Sequence, residues 1–263
     1  MTNELWERRR RTFEQTAEAY DRFRPTYPDE VFADIKKYAD LAPDDRILEI
    51  GAGTGRATAK FAPWGNPLLA IEPASAMAEI ARSNVARFDN VEVRTTTFED
   101  AGLPPNSFGL VTCAQVFHWL DEATRLDRIA ASLYAHGSVA IIDNVIVTPA
   151  ADREFHVRVQ EVYREFAAEL AHRGDFRKPH EVPEHPLVSS PLFYDLEVRE
   201  HPWSWTLPTD RYIGLLHTHS PHAALEPDAR ERLTDGIARL IDAEFGGHVT
   251  ESYVAMVSLA RRS

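Results

Sequence analysis

The sequence predicts an α/β fold: a mostly parallel, seven-stranded sheet with helices on both faces and a helical cap. Three observations carry this. Short apolar runs alternate with helix-period segments between residues 46 and 144, at the spacing of βαβ units. A glycine-rich turn at 51–55 follows the first of those runs, where an open parallel sheet places its ligand loop. Two more strand-like runs lie in the second half of the chain, with extra helices between them.

Residues 4–20 read as a helix with Leu5, Phe13, Ala17 and Tyr20 as its apolar stripe. The segment 24–28 ends it, because proline cannot continue a helix. A second helix is expected over 28–41, with Val31, Phe32, Ile35 and Tyr38 inward. Strands follow at 46–50, 67–72, 91–96, within 107–115 and at 137–144, and helices at 55–62, 74–86 and 121–134. Such a sheet is buried on both faces. The pattern changes after residue 145. A long helix over 151–171 leads to a proline- and histidine-rich loop at 174–191. A strand at 193–205, helices near 208–217 and 227–245, and a last strand at 249–262 complete the chain. We therefore expect one domain over 1–263, with a core of 42–144, 191–201 and 248–262 and a cap from 1–41, 145–190 and 203–246.

The formal charge of −12 argues against a polyanionic partner, so no nucleic acid is expected. The four arginines at 8–11 sit beside Glu4, Glu7 and Glu14 and read as a solvated helix face. The lone cysteine, Cys113, lies in an apolar run and reads as core; one cysteine forms no internal disulfide, which suits a reducing cytoplasm. Neither an apolar leader nor a window of about 18–20 apolar residues is seen, so no membrane is expected. A monomer or homodimer is expected.

The glycine loop excludes two ligand classes. A dinucleotide fingerprint needs glycine at its sixth position, which here is Arg56. A triphosphate loop needs a Gly-Lys-Ser/Thr ending, which is missing. Glu72 ends the second strand, where a carboxylate can accept hydrogen bonds from two ribose hydroxyls. An acid favoured at a helix start is the other reading of that residue.

Taken together, "ILEIGAGTG" (47–55), "AIEPA" (70–74), "TTTFED" (95–100) and "SFGLVTCAQVFHWLD" (107–121) resemble class I S-adenosylmethionine-dependent methyltransferases. "AYDRFRPTYP" (19–28) and the tail from His217 are similar to the small-molecule, trans-aconitate methyltransferase-like branch. The resemblance implies a Rossmann-like fold, S-adenosylmethionine as cofactor, S-adenosylhomocysteine as its product, and a small-molecule acceptor. It also implies roles. Glu49 and the loop Gly51, Ala52, Gly53 and Gly55 hold the amino-acid end of the cofactor. Glu72 and Pro73 lie at the ribose, and Ala74 and Met77 by the adenine. Thr97, Phe98 and Glu99 match the motif that reads and packs on the base. Gln115 and Val116 lie along the methionine moiety, and Tyr20 and Arg24 close over the cofactor. The acidic-Pro-Pro-aromatic loop of many base-amine methylating enzymes is replaced here by "AQVFHWLD", which weighs against nucleobases.

Methyl transfer from a sulfonium needs alignment and dryness more than acid–base groups. A base helps only if the acceptor loses a proton, and His118 is the candidate. A pocket-shaping histidine is its other reading. Tyr27, Trp119, His217 and His222 are the candidate acceptor-binding residues. His217, His219 and His222 fall close together but complete no metal-ligand set, so no metal is expected. Phe193, Tyr194, Trp203, Trp205 and Tyr212 either line an apolar pocket or fill the space between cap and sheet. A cofactor-binding module without catalysis, and an NAD-linked oxidoreductase, are the competing functions.

Overall fold

The structure is a computed structural model that describes residues 16–171, 186–187 and 190–263. The arginine run, the start of the helix expected over 4–20, and His180 and His185 lie outside the described residues. Helix α1 spans residues 16–23 and ends before Pro25. Helix α2 (Asp29–Ala39) has acids in its first turn, lysines in its last, and a left-handed C-cap at Asp40, each matching the helix dipole or its end. Its buried face is Val31, Phe32, Ile35 and Tyr38, as the periodicity predicts.

Four parallel strands follow, β1 (Ile47–Ile50), β2 (Leu68–Ile71), β3 (Val91–Arg94) and β4 (Phe108–Ala114). They alternate with α3 (Thr58–Phe61) and α4 (Ser75–Val85). Helix α5 (Arg125–Ser132) leads into β5 (Leu133–Val147). Then come α6 (Arg153–Phe166), β6 (Phe193–Pro208), α7 (Thr209–His217), α8 (Ser220–Ala223), α9 (Pro227–Glu244) and β7 (His248–Arg262). The sheet order is β3-β2-β1-β4-β5-β7-β6. Pairing is parallel from β3 to β5, while β7 runs antiparallel to both β5 and β6. The order reverses between β1 and β4, so the carboxyl ends of those strands open a crevice.

Alternating strand residues separate two apolar layers. Leu48, Ile50, Val111, Cys113 and Ile141 pack with Ile129 of α5 on one face. Ile47, Leu110, Ile142 and Val257 pack with α2 and Phe61 on the other. Side chains buried to this degree each contribute roughly 1.5–3 kcal/mol. Cys113 is a core thiol, and burial pushes it well above its ordinary value.

Three sequence expectations change here. Helix α2, expected in the cap, covers the sheet beside β1 and β4. Strand β5 begins at Leu133, inside the expected helix 121–134, and runs on to Val147 because β7 pairs with it along that length. Strand β6 likewise reaches Pro208, beyond the expected 205. Above this long antiparallel ribbon, α6, α7 and α9 bury their own cluster, including Phe155, Tyr212, Leu233, Ile237 and Leu207. Helix α8 was not foreseen.

Candidate functional site

A cavity of about 300 Å³ lies at the crevice between the ends of β1 and β4. Its floor is the turn after β1. Gly51 and Gly53 both have left-handed backbones, φ 69° and 58°, which only glycine adopts at little cost. A Cβ on Gly51 would strike Val116 at 2.9 Å, whereas one on Gly53 would meet nothing within 4 Å. Space therefore opens beside Gly53. Ala52 and Thr54 also line the cavity. Gly55 does not: its backbone sits against Ala81 of α4, 3.2 Å from where a Cβ would stand, so it fixes the loop on that helix. Its expected place among the ligand contacts is thus corrected to one behind them.

Two carboxylates flank the loop. Glu72 is 7% exposed, accepting a hydrogen bond from Gly53 N–H at Oε2 and one from Ala74 N–H at Oε1, both 2.9 Å. It ties the end of β2 to the glycine turn and to the start of α4. Glu49 is 1% exposed, and its Oε2 has no hydrogen-bond partner among the described residues. Burial pushes its carboxyl up to about 8, with the Glu72 charge adding to the push. A partnerless buried carboxylate oxygen is costly on its own and suits an incoming cation.

Along one wall lie Pro73, Ala74 and Met77 at the start of α4, with Thr97, Phe98 and Glu99 opposite. Along the other lie Gln115 and Val116. Gln115 has φ 63°, an uncommon backbone for a residue with a side chain. Its N–H bonds to Ile142 O at 2.8 Å and its Nε2 to Asn144 O at 2.9 Å, so β5 holds it in place. Past it, the turn Phe117–Trp119 brings His118 and Trp119 to the rim, ring centroids 5.0 Å apart. His118 is exposed at the cavity mouth and is the one imidazole lining it among the described residues.

Tyr20, Arg24 and Tyr27 form the roof. Arg24 crosses the Tyr20 ring and donates to Thr218 O at 2.9 Å, joining α1 to the end of α7. Burial pushes the Tyr27 phenol well above its ordinary range. The histidine group of the cap does not converge on the cavity. His217 is exposed at the end of α7. His222 is buried, with its Nε2 2.7 Å from the Tyr163 hydroxyl. Burial lowers its pKa to about 4, helped by His217. Neither lines the cavity, so their expected contact with an acceptor is corrected; Ser220 of α8 reaches the lining instead.

The five late aromatics are absent from the lining too. Phe193 joins a sheet core and Tyr212 the cap core. Trp203 stacks on Tyr253 at 4.8 Å and donates to Asn144 Oδ1 at 2.9 Å. Asn144 and Ser220 line the cavity without having been singled out from sequence, and Arg56, noted there only as a departure from the dinucleotide pattern, lines it too. For Asn144 a signal existed, since it closes the apolar run at 137–144 at a carboxyl strand end.

Residues 48–141, from β1 into β5, match the protein family described as a methyltransferase domain. A Dictyostelium discoideum protein named as a methyltransferase is 31% identical over 159 residues, 57% of this chain and 59% of that one. The chain spans between about two-fifths and three-fifths of the length of the curated relatives it matches. A structure described as a type II methyltransferase, from Anaeromyxobacter dehalogenans, superposes with a TM-score of 0.63 at 22% identity, covering 91% of this chain and 98% of that one. A phosphoethanolamine N-methyltransferase from Haemonchus contortus, solved with phosphomonomethylethanolamine and S-adenosylhomocysteine, gives 0.51 at 16% identity, over 95% and 57% of the two chains. At these identities the structural likeness establishes the fold.

Proposed function

We propose that this chain, whose residues 48–141 match a methyltransferase domain on a Rossmann-like fold, moves a methyl group from S-adenosylmethionine to a small molecule by in-line displacement. One observation carries the reading: two buried carboxylates flank an open glycine turn at the switch in strand order. Glu49 Oε2, left without a partner among the described residues, suits the ammonium of the cofactor's amino-acid end. Gly51, Ala52 and Gly53 give that end room. Glu72, which takes one backbone N–H on each oxygen, is the carboxylate that would accept the ribose hydroxyls. Pro73 stands beside it. Ala74, Met77 and Phe98 offer apolar faces for the base, with Thr97 and Glu99 at its polar edge.

When bound, the cofactor supplies an electrophilic methyl and its own leaving group. The residues of this chain have three tasks. Gln115 and Val116 hold the reacting end against the sheet, and alignment of this kind is worth up to about 7–11 kcal/mol. Tyr20 and Arg24 roof the cavity and keep water out. Tyr27 and Trp119 wall the acceptor, and His118 takes its proton when an N–H or O–H must be lost. Tyr20, Arg24 and Ser220 over a cavity of about 300 Å³ favour a small acceptor over a macromolecule.

The test is labelled S-adenosylmethionine with a metabolite extract, read by mass spectrometry, beside calorimetry with adenosylhomocysteine. Binding with label in a small product is expected. Absence of binding, or label found only in macromolecules, overturns the reading.

A further inference from the structure

Asn144 has a side chain whose orientation is fixed by chemistry. An indole N–H donates and never accepts, so the atom facing Trp203 Nε1 at 2.9 Å has to be the Asn144 carbonyl oxygen. The NH2 group is then the part of that carboxamide left for other partners, and none is found among the described residues although Asn144 lines the cavity. Gln115 is constrained in the mirror sense. Its Nε2 is committed to Asn144 O at 2.9 Å, which leaves its Oε1 as the open group. Its left-handed backbone is the kind of local strain that persists where the surroundings hold a side chain to a task. Trp203 is itself immobilised, stacked on Tyr253 with an interplanar angle of 17°.

We infer that Asn144 and Gln115 read the methyl acceptor. They present one fixed donor and one fixed acceptor, and Trp203 is the positioning residue that sets the polarity. The complementary chemistry is an uncharged group that both accepts and donates, a hydroxyl or a carboxamide, beside the atom that is methylated. Both side chains are half-buried in the cavity wall, so an acceptor that covers them without the matching group shuts out water and leaves their donor and acceptor unpaired. This inference rests on the methyl-transfer reading and deepens it.

The experiment takes the small molecule methylated by the wild-type protein in the extract assay as its probe. Asn144→Asp keeps an oxygen for Trp203 and turns the open donor into an acceptor. It should raise KM for that molecule by about 10-fold or more, with the adenosylhomocysteine Kd within about twofold of wild type. Trp203→Phe should raise KM by less. It should add nothing once Asn144 is already alanine, because Trp203 then has nothing to orient. An unchanged KM in Asn144→Asp, a further rise from Trp203→Phe in the alanine background, or a product with no hydroxyl or carboxamide next to its new methyl overturns the inference alone. Failure of the wild-type protein to methylate anything overturns it together with the methyl-transfer reading.

Discussion

The parallel half of the sheet and its antiparallel half each bury a carboxylate and each set a histidine nearby, and they treat them differently. In the parallel half, β1 and β2 are buried at every position, and Glu49 of β1 carries an oxygen that no described residue engages. In the antiparallel half, Glu251 of β7 is 4% exposed, and burial pushes it up to about 7 while a hydrogen bond from Tyr212 pulls the other way. His118 stands at the rim of the cavity, whereas His222 is locked against Tyr163 inside the cap. Both sides keep buried polar atoms without a hydrogen-bond partner among the described residues, His222 Nδ1 in the cap included, but the one at Glu49 is a carboxylate oxygen of a residue that lines the cavity. An open polar group on a cavity wall is the mark of a place where something else arrives.

Pairs of substitutions can break this contrast. The largest effect belongs to the histidines. His118→Ala should slow methyl transfer roughly 100- to 10,000-fold if the acceptor loses a proton, with adenosylhomocysteine affinity held. His222→Ala should spare that affinity and cost about 1–3 kcal/mol of stability, because the Tyr163 hydroxyl loses its partner. Single-turnover rates and thermal melts separate the two; full activity in His118→Ala makes that residue a wall.

The carboxylates come next. Glu49→Gln should weaken adenosylhomocysteine binding by about 2–5 kcal/mol, the usual cost of losing one partner of a buried charge pair. The melting temperature of the unliganded protein at neutral pH should not fall, since the amide replaces a carboxyl that burial already holds neutral there. Glu251→Gln should leave binding intact. Glu72→Ala should cost about 1–3 kcal/mol of binding by calorimetry with most of the stability kept, and unchanged affinity removes its role at the ribose.

The smallest effect is a slope. Glu49 is raised from 4.5 to about 8, so the folded protein holds an extra proton between those values. Stability without ligand should therefore fall as pH climbs through that window, and Glu251, raised from 4.5 to about 7, contributes the same sign. A cation at Glu49 favours its charged form, so affinity should rise with pH up to about 8 and binding should release protons. The slope is at most about 1.4 kcal/mol per pH unit for one proton. Calorimetry in buffers of different ionisation enthalpy measures the release directly; a flat profile removes Glu49 from the contact.

Much of the crevice was legible because its signals are local. The glycine turn, Glu49 and Glu72 lie within 26 residues, at the ends of two strands whose apolar runs are plain in the sequence. Gly55 was misplaced because spacing alone cannot tell a residue that faces a ligand from one that faces a helix behind the loop. The cap was harder. The close histidines at 217–222 share a short segment, yet α7 ends at His217, which is exposed, while His222 is buried against Tyr163 with the His219 ring 5.8 Å away. The full lengths of β5 and β6 come from pairing with β7, a tertiary effect that local patterns do not carry. Asn144 follows from that same register.

Strand β5 has a double membership. Residues 133–142 pair with β4 beside the crevice, and residues 138–147 pair with β7 beneath the cap. Cavity floor and cap platform are thus two stretches of one rigid rail, sharing five residues of ladder. A swing of the whole cap away from the crevice would have to buckle that rail. The pieces over the cavity that are not built on that rail are α1 and α8; Arg24, just past α1, is tied to the carbonyl of Thr218 at the end of α7, two residues before α8 begins.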